Sequence, residues 1–183
     1  MNLLETILNA GGGAIVQNIS KSLGLGEVQT QSALRQLLPA VARAIGNNGS
    51  SRDGLGALLG ALGQGNHQRY LENPQLLGQA DTINDGNGIL GHLFGSKEVI
   101  RNIASRASAN TGIGADILKK MLPMVASVAM GALSQKASGS DMLGAQTQAQ
   151  PSGLSGLSSF LDFDGDGSIA DDLLDITAKK FFS

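Results

Sequence analysis

The chain has no cysteine and no tryptophan, and only one tyrosine and five phenylalanines among 183 residues. Without thiols there is no disulfide, no thiolate zinc site and no cysteine nucleophile, and the redox compartment is left open. With aromatics at 3%, a core must be filled by Leu, Ile, Val, Ala and Met, which implies modest stability. Charge of either sign is scarce. The formal net charge is −2, too near neutral to announce a nucleic-acid partner. Long apolar runs are missing as well. Met121–Leu133 spans 13 residues, against the roughly 20 of a spanning helix. The N-terminal MNLLETILNAGGG lacks the basic flank and the apolar length of a signal peptide. These absences predict a soluble, cytoplasmic protein with no transmembrane segment.

What is present in excess is glycine, 26 of 183 residues against a usual share of about 7%. A stretch around Ile113–Leu133 also occurs twice. At an offset of 84, Leu118, Leu122, Pro123, Val125 and Ala126 fall on Leu34, Leu38, Pro39, Val41 and Ala42. Upstream in the same register, Asn102 and Ile103 fall on Asn18 and Ile19, and Val99 and Ile100 on Ile15 and Val16. The match needs no gap. Inside a helix each proline removes a hydrogen bond and crowds the carbonyl four residues back, costing about 3 kcal/mol if uncompensated. Either each helix is kinked there or one helix ends and another starts on the proline.

Periodicity reads as helices throughout. Leu3, Leu4, Ile7 and Leu8, then Ile15, Val16, Ile19 and Leu23, form stripes at helical spacing, with Gly24 placed to end the second. Leu34, Leu37, Leu38, Val41 and Ile45 form a third, matched by Leu118, Met121, Leu122, Val125 and Ala129. Ala44–Asp53 reads as a polar loop, and Asp85-Gly86-Asn87-Gly88 as a tight turn. No window alternates like a strand. The expectation is an all-α, multihelical fold of two related halves, residues 1–82 and 83–143. A flexible linker over 144–152 and a helix–acidic loop–helix over 153–183 complete it.

The segment Gly88–Gly95 (GILGHLFG), the stripe Val99–Arg106 and the LPMVA segment together resemble the bacterial YidB-like proteins, the family called domain of unknown function 937. The best-matching portion runs from about Ile83 to Leu143, with the first half like a diverged copy. The resemblance implies a compact multihelical fold. It implies no reaction and no ligand.

The strongest chemical constellation is Asp162-Phe163-Asp164-Gly165-Asp166-Gly167-Ser168-Ile169. Asp at positions 1, 3 and 5, Gly at 6 and an apolar residue at 8 are what an EF-hand-like calcium loop requires. Ser168 would add a backbone carbonyl. The twelfth position is Leu173 in place of Glu, so Asp172 (or Asp171) closes a shortened loop and calcium binding is expected to be weak. The competing reading is a solvated Asp/Gly turn without metal. Six acids without a base in residues 162–175 repel one another unless a cation sits among them.

No enzyme motif is present. Gly-rich Gly54–Gly63 lacks the Gly-Lys-Ser ending of a phosphate loop, and there is no GxSxG elbow. His67 stands in a polar stretch. His92, among apolar neighbours, is the one residue on which an acid–base role could rest. Lys97, Arg101, Arg106, Lys119 and Lys120 make the second half mildly basic, without the interleaved aromatics of a nucleic-acid surface. The reading is a non-enzymatic structural or protein-interaction module, with self-association or a protein partner open. A peripheral membrane or cell-envelope role is the alternative, and an enzyme using His92 comes third.

Overall fold

The computed structural model describes residues 3–9, 13–49, 60 and 66–139. Among them every regular element is a helix. In order these are α1 (Leu3–Asn9), α2 (Ala14–Leu23), α3 (Glu27–Gly49), α4 (Arg69–Glu72), a 3-10 segment (Pro74–Gly78), α5 (Ala80–Phe94), α6 (Lys97–Thr111) and α7 (Ala115–Gly139).

The architecture is built around α7. Every residue from Met121 to Ser134 is buried, and each of the other helices packs against it. A helix buried on all sides has to be apolar on all sides. That accounts for its composition. Ala115–Lys136 is, by length and composition, the one helix among the described residues that could cross a membrane, yet 83% of its apolar window lies inside the fold. On α3 the expected stripe is sealed, with Leu37, Leu38, Val41 and Ile45 all at 0% exposure.

Both prolines lie inside continuous helices, Pro39 in α3 and Pro123 in α7. Division of either helix at its proline is therefore ruled out. Leu34, Leu37, Leu38, Val41, Ala42, Ala44 and Ile45 of α3 are buried, as are the residues 84 positions on in α7, whereas half-buried Pro39 and Ala40 and exposed Arg43 correspond to buried Pro123, Met124 and Ser127. Upstream, the gapless register fails. Gly24 ends α2 at φ 66° and Gly112 ends α6 at φ 72°, their N–H groups donating to the carbonyls of Ser20 and Ser108. These left-handed caps, where only glycine is unstrained, stand 88 residues apart. Between cap and proline α3 is thus four residues longer than α7, about one helical turn. At an offset of 88, Ile103 falls on Ile15 and Ala107 on Ile19.

Two local expectations are corrected. Residues 44–49 continue α3, held by the Asn48 side chain, which donates to the Ala44 carbonyl (2.8 Å) and across to that of Leu93 (3.1 Å). Asp85–Gly88 lies in the middle of α5. The reason is Gly86: a Cβ built there would sit 2.1 Å from the Pro123 carbonyl oxygen. The glycine serves close helix approach, and the neighbouring Asp and Asn follow the helix that this packing fixes.

Hydroxyls tie the layers together. Ser127 of α7 donates to the Thr82 carbonyl of α5 (3.3 Å), and Thr82 donates to the Leu76 carbonyl of the 3-10 segment (2.6 Å). The buried Ser20 and Thr30 hydroxyls lie 2.7 Å apart, between α2 and α3. Each is a buried polar group with its partner in place.

Candidate functional site

The polar side chains that the described fold gathers are Arg69, Tyr70 and Asp85. The short α4 lies on α7 because Gly131 admits it: a Cβ at 131 would come within 2.6 Å of the His67 carbonyl oxygen. This seats Tyr70, the only tyrosine in the chain, at 0% exposure. Its ring lies beside that of His67, centroids 6.2 Å apart. The Tyr70 hydroxyl points out to α5 and donates to Asp85 Oδ2. Arg69 closes the triangle, donating from Nη2 to the same Oδ2 (2.8 Å) and to the Tyr70 oxygen (2.6 Å). Its guanidinium carbon is 4.8 Å from the Tyr70 ring centroid, within cation–π range. The buried Arg69 Nε has no hydrogen-bond partner.

The site is buried on one side and wet on the other. Arg69 and Asp85 are 41% and 42% exposed, so their ion pair is partly screened. Burial, first, and the hydrogen bond to Asp85, second, push the Tyr70 hydroxyl above its ordinary value. The one hydroxyl proton and the shared carboxylate oxygen are committed to each other and to Arg69, which ties α4 to α5.

The other site residues inferred from the sequence fall elsewhere. Asp162, Asp164, Asp166, Ser168 and Asp172, the calcium candidates, lie outside the described residues. His92 is exposed on α5 and is not drawn into the triangle. Among the described residues no group of three or more His, Asp or Glu is placed to hold a metal ion. Sequence reasoning passed over all three members of the triangle and took Asp85 for a turn residue. One signal was available: a lone tyrosine beside an arginine in an otherwise aromatic-poor chain.

Residues 5–136 match the profile of a family described as bacterial protein of unknown function (DUF937). The chain belongs to this family. The match covers every described helix but the start of α1 and the end of α7, so it spans the first half as well as the stretch from Ile83 on which the resemblance was read. No curated protein and no solved structure matches the chain at significant similarity.

Proposed function

We propose that this family member is a non-enzymatic helical scaffold, cytoplasmic, made of two related helical halves, with a C-terminal acidic loop that takes up calcium weakly. The observation that carries the scaffold reading is the Arg69–Tyr70–Asp85 triangle, in which the Tyr70 hydroxyl and Arg69 Nη2 both donate to Asp85 Oδ2 and so join α4 to α5. His92, exposed and apart from that cluster, gives an acid–base reaction no partner there. Support for two related halves comes from the matched burial of α3 and α7 and from the glycine caps of α2 and α6. Support for calcium is the 1-3-5-6-8 pattern of Asp162, Asp164, Asp166, Gly167 and Ile169.

In this reading the ion neutralises the loop and allows the apolar residues around it to dock on the helical body. Calorimetric titration of calcium into metal-free protein tests it. Saturable heat that disappears in Asp162→Ala/Asp164→Ala is the expected result. Heat unchanged in that variant, or none at millimolar calcium, sinks the calcium part. A peripheral membrane role is favoured by the apolarity of Ala115–Lys136, but the burial of that window already explains it; co-sedimentation with liposomes would reverse that judgement.

A further inference from the structure

The first turns of α3 present one face wholly to solvent. Val28, Gln31, Ser32 and Arg35 stand at i, i+3, i+4 and i+7, the spacing of a single helix face, and all four are exposed. Val28, at 81%, is more exposed than any other large apolar side chain among the described residues. Behind the stripe Thr30, Ala33, Leu34 and Leu37 are buried, so it points away from the core.

The joint that carries the stripe is tight. Three residues, Gly24–Gly26, separate α2 from α3. Gly24 ends α2 in the left-handed conformation, and the Leu25 N–H returns to the Ser20 carbonyl (3.0 Å). On the other side the Gly26 N–H donates to Gln29 Oε1 (3.1 Å), and the Thr30 hydroxyl donates to the Gly26 carbonyl (3.1 Å). The small, buried Ser20 lets α2 touch α3 at Thr30, hydroxyl to hydroxyl. Two helices locked across a three-residue glycine turn, the second with its first turns facing outward, form a helix-turn-helix.

Cations collect around it. The joint recurs between α6 and α7, where Gly112-Ile113-Gly114 stands for Gly24-Leu25-Gly26, and 88 positions after Gln31 and Ser32 come Lys119 and Lys120, both exposed. Asn110, just before that joint, donates to Gln36 of α3 (3.1 Å). The start of α7 therefore lies at the same end of the body as the start of α3. Arg106, one turn from Asn110 on its flank, and Lys21 in the last turn of α2 are exposed there too. Of the acids in these segments, Glu27 stands beside the stripe and Asp116 is engaged by Lys119 (3.4 Å).

We infer that α3 is a reading helix for duplex DNA, its exposed stripe lying in the major groove and Lys21, Arg106, Lys119 and Lys120 facing phosphates. The stripe has the chemistry for base edges. Arginine donates twice to guanine, glutamine pairs with adenine, serine bonds either kind of base, and an apolar side chain packs on the thymine methyl. The near-neutral balance of the whole chain conceals this face. Eleven basic and eight acidic residues precede Ser140, so the helical body is net basic and the acid excess lies after it. The inference goes beyond the scaffold reading and does not depend on calcium.

The test uses full-length protein in chelator, so that no ion at the acidic loop takes part. Duplexes captured from a randomised pool are sequenced, and the enriched duplex and a scrambled one are titrated by fluorescence anisotropy at several salt concentrations. The enriched duplex should bind more tightly than the scrambled one, and Gln31→Ala or Arg35→Ala should weaken that binding alone, by about tenfold. Lys119→Ala/Lys120→Ala should weaken both duplexes alike and reduce the slope of log K against log salt by about 2. These side chains are exposed, so thermal unfolding of the variants should match that of the parent. No enriched sequence, or tighter binding of single strands, overturns the inference. So does an enriched duplex that Gln31→Ala and Arg35→Ala leave equally well bound, which would reduce the interaction to attraction by lysines. A dimer that Val28→Ser dissociates while DNA binding is unchanged assigns the stripe to a second copy, and overturns it as well.

Discussion

Gly86 and Gly88 stand two positions apart on α5 and should respond oppositely to the same substitution. Gly86→Ala drives a methyl into the Pro123 carbonyl, and overpacking of this kind costs about 1–3 kcal/mol. Gly88 has nothing within 4 Å of its missing Cβ, so Gly88→Ala gains up to about 1 kcal/mol of helix propensity. Urea unfolding of the two variants reads the sign directly. Tyr70 allows a second test at this scale. Its folded-state pKa is raised, so its contribution is complete below the unfolded value of about 10 and is lost as pH rises through the folded value. Ultraviolet titration reports Tyr70 alone, because no other tyrosine exists, and should place its ionisation above that of the denatured chain. Tyr70→Phe should cost about 1 kcal/mol at neutral pH and flatten the alkaline fall in Tm. The triangle itself was hidden from sequence reading because Arg69 and Asp85 are 16 residues apart, and only α4 lying on Gly131 brings them together.

At the scale of elements, the helices legible in the sequence were those whose apolar stripe is also their buried face: α2, α3 and α7. Those misread were settled by packing against local preference. The Asp-Gly-Asn-Gly run favours a turn in isolation. In the fold Gly86 meets Pro123 and Leu90 is 1% exposed, and that burial holds the run helical. Likewise the last turn of α3, polar by composition, is kept by Ile45 and by Asn48. The one-turn difference between α3 and α7, counted from glycine cap to proline, was not visible because apolar residues of α6 fall on apolar residues of α2 at an offset of either 84 or 88. The glycine caps are the sharper markers, and they yield a prediction. Gly24→Ala and Gly112→Ala should each destabilise by about 1–2 kcal/mol, since a Cβ strains the left-handed conformation. Asparagine, which tolerates that region, should recover part of the loss in thermal unfolding.

For the whole molecule, α7 makes the described helices one cooperative body. Elements on both sides of residue 83 pack on it, and a single buried cluster runs from Ile7 to Leu133. Leu122→Ala, at 0% exposure, should cost about 2–5 kcal/mol. It should lower one unfolding transition without splitting it; two separated transitions would mean the halves melt independently.

The central position of α7 also sets an order of events during synthesis. The chain leaves the ribosome N-terminus first, and of the described helices α7 comes last. Until it emerges, the earlier helices can pack on one another but lack the helix on which all of them also rest. The nascent protein therefore lacks the helix that completes its core for most of its translation. A chain so poor in charge makes that interval a point of dependence on chaperones, and any stall before residue 115 releases a fragment prone to aggregate.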